Sequence, residues 1–156
     1  MKLANLSRGE ALSTIAGILL GISVFLPWYT TSTNRNVHIN SHYGHGQSID
    51  LSAWQVHPIL RILLLMAVAA PLILAWIIMR EHQLSWARGE VTAIVGITAM
   101  TLVFYVGIID TPGSPQSEVS LTYGWFIALA AGAGLLIGAA MRSSETERTR
   151  KPPGTI

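Results

Sequence analysis

Four apolar runs constrain this chain more than any other feature of its sequence. They cover residues 11–29, 58–79, 91–109 and 121–141. Each is about 20 residues long, so that as a helix it rises about 30 Å, the thickness of the hydrocarbon core of a bilayer. Because backbone polar groups in lipid must be bonded internally, the runs predict four transmembrane helices. We therefore expect an all-α membrane protein, an antiparallel four-transmembrane-helix bundle.

The composition agrees with a chain that lies in lipid. Of the 156 residues, 51% are hydrophobic and only 12% are charged, whereas soluble domains carry about 25% charged residues. The formal net charge of +2 is too small to indicate nucleic-acid binding. The chain has no cysteine, which excludes disulfides and thiolate metal sites.

The distribution of cations predicts how the chain is threaded. Arg35 is the one cation in the predicted outer loops, residues 30–57 and 110–120. Eight others fall on the opposite side: Lys2, Arg8, Arg80, Arg88, Arg142, Arg148, Arg150 and Lys151. The positive-inside rule therefore places both termini in the cytoplasm of a multi-pass plasma-membrane protein. We expect one membrane domain, residues 1–141, followed by a disordered cytoplasmic tail, residues 142–156.

The first run has a rival interpretation as a cleaved signal peptide, because Lys2 and Arg8 precede it. Its apolar core is long, and no small-x-small pair ending in alanine follows. We expect an uncleaved helix. Aromatic residues that include Trp28, Tyr29 and Trp54 flank the runs, and we expect them at the membrane interfaces.

Two stripes of small residues predict that the first and fourth spans pack against each other. The stripes, each at four-residue spacing, are Ser13, Gly17 and Gly21 in the first span and Ala130, Gly134 and Gly138 in the fourth. Small residues let helix backbones approach closely in lipid, although the same stripes could mediate self-association. In the third span, Thr98, Thr101 and Tyr105 predict a polar stripe that faces the interior of the bundle.

Arg61 is the one charged residue inside a predicted span, about one turn from its outer end. A charge at that depth must pair or extend to the interface. The acids on the outer side are Asp50, Asp110 and Glu118. Asp110 directly ends the third span, so we predict an intramembrane ion pair between Arg61 and Asp110.

Four of the five histidines lie in the first outer loop: His38, His42, His45 and His57. Neutral imidazoles bind zinc or copper, so these residues are candidate metal ligands, or a pH sensor. Alternation in "NVHINSH" and "QSIDLSA" predicts two strands joined through "YGHG" as a small extracytoplasmic β-hairpin. In that hairpin, His38 and His42 would stand about 13 Å apart, and the pair with an easy geometry would be His42 and His45.

No Ser–His–Asp spacing, HExxH, P-loop or GxGxxG occurs, so we expect no catalytic residues and no cofactor beyond possible zinc or copper. The order of the motifs "FLPWY", "LSAWQ", "TLVFYVGIID" and "LTYGWFIALAAGAGLLIGAAM" resembles small four-helix membrane proteins of actinobacteria, most of which have no assigned function. The layout is also similar in outline to claudin-type proteins, but their loop cysteine pair is missing here. The resemblance implies no catalytic residue.

The sequence therefore predicts a non-catalytic accessory or scaffolding subunit of a larger membrane or cell-envelope complex. Its partners would be the lipid bilayer and either a membrane protein or further copies of itself. The alternatives are an extracytoplasmic metal-binding or pH-sensing protein that uses the outer-loop histidines and, third, a small oligomeric channel or transporter.

Overall fold

The computed structural model of the protein describes residues 6–80 and 88–149, without the side chains of residues 88 and 143–149. Four long helices dominate it, and short strands lie between them. The helices are α1 (Arg8–Ser23), the short α2 (Ala53–Val56), α3 (Leu60–Met79), α4 (Arg88–Phe104) and α5 (Tyr123–Thr149). The strands are β1 (Pro27–Thr31), β2 (His38–Ile39), β3 (His42–Tyr43), β4 (Asp50–Ser52) and β5 (Val119–Leu121).

Within the described residues, three helices are long and apolar enough to cross a membrane, namely Leu60–Met79, Gly89–Ile109 and Tyr123–Arg142. They coincide with the second, third and fourth apolar runs. In the third apolar run, residues 91–109, the last turn of the helix is π-helical. This turn, Tyr105–Ile109, directly continues α4.

The first apolar run forms a shorter helix than the sequence predicts. Helix α1 begins after a capping box, in which Ser7 Oγ accepts from the Glu10 amide and Glu10 Oε2 accepts from the Ser7 amide. It ends at Ser23, because the chain approaches Pro27 and becomes extended there. The 16 residues of α1 rise about 24 Å, which is less than the thickness of a hydrocarbon core.

Each long helix contacts two others: α1 packs against α5 and α3, and α4 packs against the same two helices. The shared core consists of apolar side chains that are almost fully buried, among them Leu20, Leu64, Val103, Ala128 and Leu135. The predicted contact between the first and fourth apolar runs is therefore present.

The small-residue stripes are used differently from the prediction. Gly138 lies directly against Ser13, and a Cβ at Gly134 would come within 3.0 Å of the Ala16 side chain. Gly17 and Gly21, by contrast, face α3, where they meet Pro71 and Val68. Ala130 is exposed. Thus α1 divides its small residues between two neighbours, because successive residues at four-residue spacing rotate slowly around a helix.

Helix α5 extends beyond the predicted membrane domain, as far as Thr149. The sequence predicted a disordered tail from residue 142, but the glutamate and arginine residues of this segment favour helix continuation. Arg142 itself is buried, and its Nη1 donates to Thr92 Oγ1 of α4 at 3.0 Å. Residues 150–156 of the predicted tail lie outside the described residues.

The strands form a cap in which both of the predicted outer loops take part. Strand β1 is central and pairs antiparallel with β4 on one side and β5 on the other. Strands β2 and β3 form a separate tight hairpin. His38 of this hairpin forms an isolated bridge with Ser114 of the second outer loop. The two loops are therefore joined at two places.

The predicted hairpin differs from the observed one in its partners. Residues 47–53 contribute strand β4, which pairs with β1 rather than with the histidine segment. The observed hairpin turns at Asn40, whose φ of 52° lies in the left-handed region that asparagine tolerates. The side-chain Nδ2 of Asn40 donates to the Val56 carbonyl at 2.8 Å. The predicted alternation is confirmed, since Val37 and Ile39 are fully buried.

Candidate functional site

The best-defined polar contact of the cap is a junction centred on Tyr29. Tyr29 is fully buried in β1, and its hydroxyl lies 2.9 Å from His57 Nε2 and 3.1 Å from the Val106 carbonyl. The Tyr29 and His57 rings pack edge to face, with centroids 5.6 Å apart. One hydroxyl thus connects the central strand, the segment before α3 and the π-helical turn of α4.

Electrostatics at this junction favour a neutral imidazole. Burial lowers the pKa of His57 below its ordinary value of 6.5, and the negative charge of Asp110 partly opposes this shift. The phenol has a single proton. When it donates to the Val106 carbonyl, His57 Nε2–H donates to the phenol oxygen; in the other tautomer, the phenol donates to Nε2.

The π-helical turn of α4 is braced by a second aromatic side chain. The indole Nε1 of Trp125 donates to the Val103 carbonyl at 2.8 Å. Gly107 makes this approach possible, because a Cβ at that position would overlap the indole of Trp125. Trp125 from α5 and Tyr29 from β1 therefore both fix the outer end of α4 through its carbonyl groups.

Trp28 and Tyr29 were predicted at the membrane interface, but both are fully buried. The sequence signal that could have revealed this burial is Pro27, which indicates that the chain changes here from helix to strand. Successive side chains of a strand point to opposite faces, and a strand that joins two loops has neighbours on both faces. The partners of the Tyr29 hydroxyl, His57 and Val106, lie too far along the chain for local reasoning to identify.

A second feature of the cap is an exposed row of rings at its tip. Tyr43, which is 52% exposed, stacks on His38 with centroids 4.9 Å apart and an interplanar angle of 22°. His45 lies on Tyr43 at 6.0 Å and 33°. The Nδ1 of His38 is 3.3 Å from the Asn36 carbonyl. We call His38, Tyr43 and His45 the ring cluster.

The structure separates the four histidines that the sequence grouped. His57 is engaged by Tyr29, His38 and His45 lie on Tyr43, and His42 is exposed in β3 opposite Ile39. Among residues 6–80 and 88–149, no three His, Cys, Asp or Glu side chains form a group that could hold a metal ion. The predicted convergence of these imidazoles on zinc or copper is therefore not formed in this structure.

Arg61 does not make the predicted ion pair. Both Arg61 and Asp110 belong to the described residues, and the structure shows no ion pair between them. The guanidinium donates to the Trp54 carbonyl at 3.1 Å and lies over the Trp54 ring, 4.6 Å from its centroid. A cation over an indole face is stabilised by the ring quadrupole. Asp110 acts instead on the Tyr29–His57 junction through its charge.

Acidification is expected to destabilise the fold through His57. The unfolded chain, in which His57 has its ordinary pKa of 6.5, takes up a proton before the folded chain does. The stability that the neutral His57 contributes to the fold is therefore complete above about pH 6.5. It is lost as the pH falls through the lower pKa that His57 has in the folded chain. The melting temperature of the detergent-solubilised protein, measured between about pH 8 and pH 5, checks this.

The matched control compares two histidines of the same loop. His57→Gln should flatten this pH dependence, whereas His42→Gln should retain it, because His42 is exposed. An acid-induced fall of equal size in the His57→Gln variant would contradict the role assigned to His57.

No protein-family model, no curated protein sequence and no solved structure matches this chain.

Proposed function

We propose that the chain is a four-span integral protein of the plasma membrane with both termini in the cytoplasm. Three helices of spanning length among the described residues support this arrangement, as do the eight cations that the sequence places outside the predicted outer loops and spans. Helix α1 and the extended segment after it would complete the fourth crossing. Large apolar side chains cover the outer faces of the helices, for example Ile18, Met66 and Ile94. The likeness to small actinobacterial four-helix proteins remains part of this proposal.

The proposed role is that of a non-catalytic accessory or scaffolding subunit that binds a larger membrane or cell-envelope protein. The observation that carries it is the cap. Its two loops are held together by β1, which pairs with strands from both. A surface that is ordered before binding loses less conformational entropy when a partner docks.

The ring cluster is the proposed centre of contact. Tyr43 is fixed by its stacking on His38, so its exposed edge is presented in one orientation. The exposed residues of the same loop include the small and amide residues Asn36, Ser41 and Gln47. Tyrosine surrounded by serine, asparagine and glycine gives large contact area and adaptable hydrogen bonds, as in recognition loops of antibodies.

Native mass spectrometry of the protein extracted gently from its own membrane tests this proposal. We expect the 16.9 kDa chain to be found in a complex with a different chain. Replacing the central ring by Tyr43→Ser should weaken that complex by about tenfold or more, because buried tyrosines at interfaces are frequent hot spots.

The matched control is Tyr123→Ser. Tyr123 is 57% exposed, close to the 52% of Tyr43, but it lies at the start of α5 outside the ring cluster. This variant should leave the complex intact. A wild-type chain that carries no partner chain, or equal losses in both variants, would contradict the proposed role of the cap.

A further inference from the structure

Helix α4 carries hydroxyl groups on its exposed surface. Thr98 and Thr101 are exposed, and both lie within about 3 Å of the middle of the apolar stretch Gly89–Ile109. The sequence predicted that they face the interior. The exposed large side chains of α3 are in contrast all apolar, with Ile62, Met66 and Ile73 among them.

The two hydroxyls differ in their hydrogen bonding. Thr98 Oγ1 donates to the Ile94 carbonyl of its own helix at 2.8 Å, which is common for threonine in helices. Within the described part of the chain, the Thr101 hydroxyl has no hydrogen-bond partner. Lipid tails supply no acceptor, so a hydroxyl at this depth gains a bond only from protein.

The surface around Thr101 is concave. Thr101 lies in a groove between α4 and α5, which Ile97, Met100, Phe104 and Leu136 also line. A Cβ at Gly132 would come within 3.3 Å of the Met100 side chain, so this glycine lets α5 approach Met100 closely. The groove is apolar apart from Thr101 and is open to the membrane side of the helices.

We propose that α4 packs against α4 of a second copy of this chain, with Thr98 and Thr101 facing their equivalents across a twofold axis normal to the membrane. The proposal goes beyond the accessory role, although it rests on the membrane insertion stated above. A second copy with the same orientation necessarily presents its hydroxyls at the same depth. Lipid presents none, and an unrelated helix does so only by coincidence.

The spacing along α4 fits such a pair. The exposed residues Ile94, Ile97, Thr101 and Phe104 follow one another at intervals of three and four. This is the interval of helices that cross at about 20° in membranes. Threonines at the centre of such a seam exchange hydrogen bonds, while the apolar residues fill the grooves on either side.

The absence of cysteine from the chain allows a direct test, because one introduced cysteine is the only thiol. Ile97→Cys places it in the groove and keeps both threonines. Ile73→Cys is the matched control on α3. The two isoleucines are equally exposed, at 56%, and lie within about 5 Å of the middle of their helices.

Each variant of the full chain is reconstituted into phosphatidylcholine vesicles and oxidised with copper phenanthroline. We expect Ile97→Cys to give a disulfide-linked band at twice the 16.9 kDa chain mass, with a yield that persists on dilution with lipid. Ile73→Cys should give little of this band. Equal yields would mean random collision and would overturn the proposal, as would a monomeric Ile97→Cys.

A second measurement examines the hydroxyls themselves. Adding Thr98→Val and Thr101→Val to Ile97→Cys should lower the dimer association constant by about tenfold. Each of the two lost hydrogen bonds accounts for a factor of about three. An unchanged constant would overturn the assignment of these hydroxyls to the interface. Tyr43→Ser in the same background should leave the cross-link intact, so that failure of the cap proposal is distinguishable from failure of the α4 pair.

Discussion

Replacing Trp28 by alanine is expected to lower the free energy of unfolding by about 3–5 kcal/mol, the usual range for a buried tryptophan. Trp28 is 0% exposed, and its indole nitrogen donates to the Ser23 carbonyl at 2.7 Å. Its own carbonyl accepts from the Thr122 amide at 2.8 Å. The side chain therefore fills the junction of α1, β1 and the start of α5. Its removal leaves a cavity and deletes one of the two hydrogen bonds that the Ser23 carbonyl accepts, the other being from the Leu26 amide.

Trp54→Ala is the matched control within the same cap. Trp54 is 37% exposed; it stacks on Phe25 with centroids 5.1 Å apart and supports the Arg61 guanidinium. These contacts lie at the surface, so we expect this variant to lose less than half as much stability. Chemical denaturation in detergent, followed by tryptophan fluorescence, measures both. Equal losses would show that Trp28 is not a central element of the fold.

The helices could be predicted from the sequence because their signal is local. Residues 58–79 are apolar without interruption apart from Arg61, and the observed α3, Leu60–Met79, differs from the predicted span by two residues at its start. The end of α1 was less predictable. Residues 24–29 are as apolar as a span, but the helix ends before them and β1 begins at Pro27. Both loops pair with this strand, which is specified by its distant partners.

The cap shows the same limit more clearly. The burial of Val37 and Ile39 follows from alternation along one short segment, and it was predicted correctly. The pairing of β1 with β5 joins segments that are far apart in the chain, so local pattern contains no information about it. The close spacing of His38, His42 and His45 drew attention to them, whereas the histidine with the best-defined partner is the isolated His57.

The mistaken ion pair has a related cause. Arg61 lies at the start of α3 and Asp110 follows the end of the helix that continues α4, so antiparallel spans were expected to bring them to the same side. Charge complementarity alone favoured pairing them. In the structure, Arg61 finds an acceptor and an aromatic face in Trp54, seven residues away. A partner close in the chain costs less conformational entropy to bring into contact than a partner on another helix does. Sequence reasoning that searched only for opposite charges missed this local partner.

Replacing Gly138 by leucine is expected to be the most damaging change in the helices. A Cβ at this position would overlap Ser13 Oγ and would come within 2.8 Å of the Gly9 carbonyl. Since Gly9 presents backbone, which cannot rotate away, the two helices must separate. Overpacking of this kind costs about 1–3 kcal/mol and sometimes more; here the upper part of that range is expected, because α1 and α5 share a long contact.

Ala130→Leu provides the matched control, because the same leucine is introduced into the same helix and the same sequence stripe. Ala130 is exposed, so a leucine there extends into lipid or detergent and should change the melting temperature little. The original prediction treated Ala130 and Gly138 as equivalent members of one packing stripe. If the two variants lose similar stability, that interpretation is restored and the observed geometry of α1 and α5 is wrong. If only Gly138→Leu lowers the melting temperature, the close approach of Gly9 and Ser13 to Gly138 determines how α1 packs against α5.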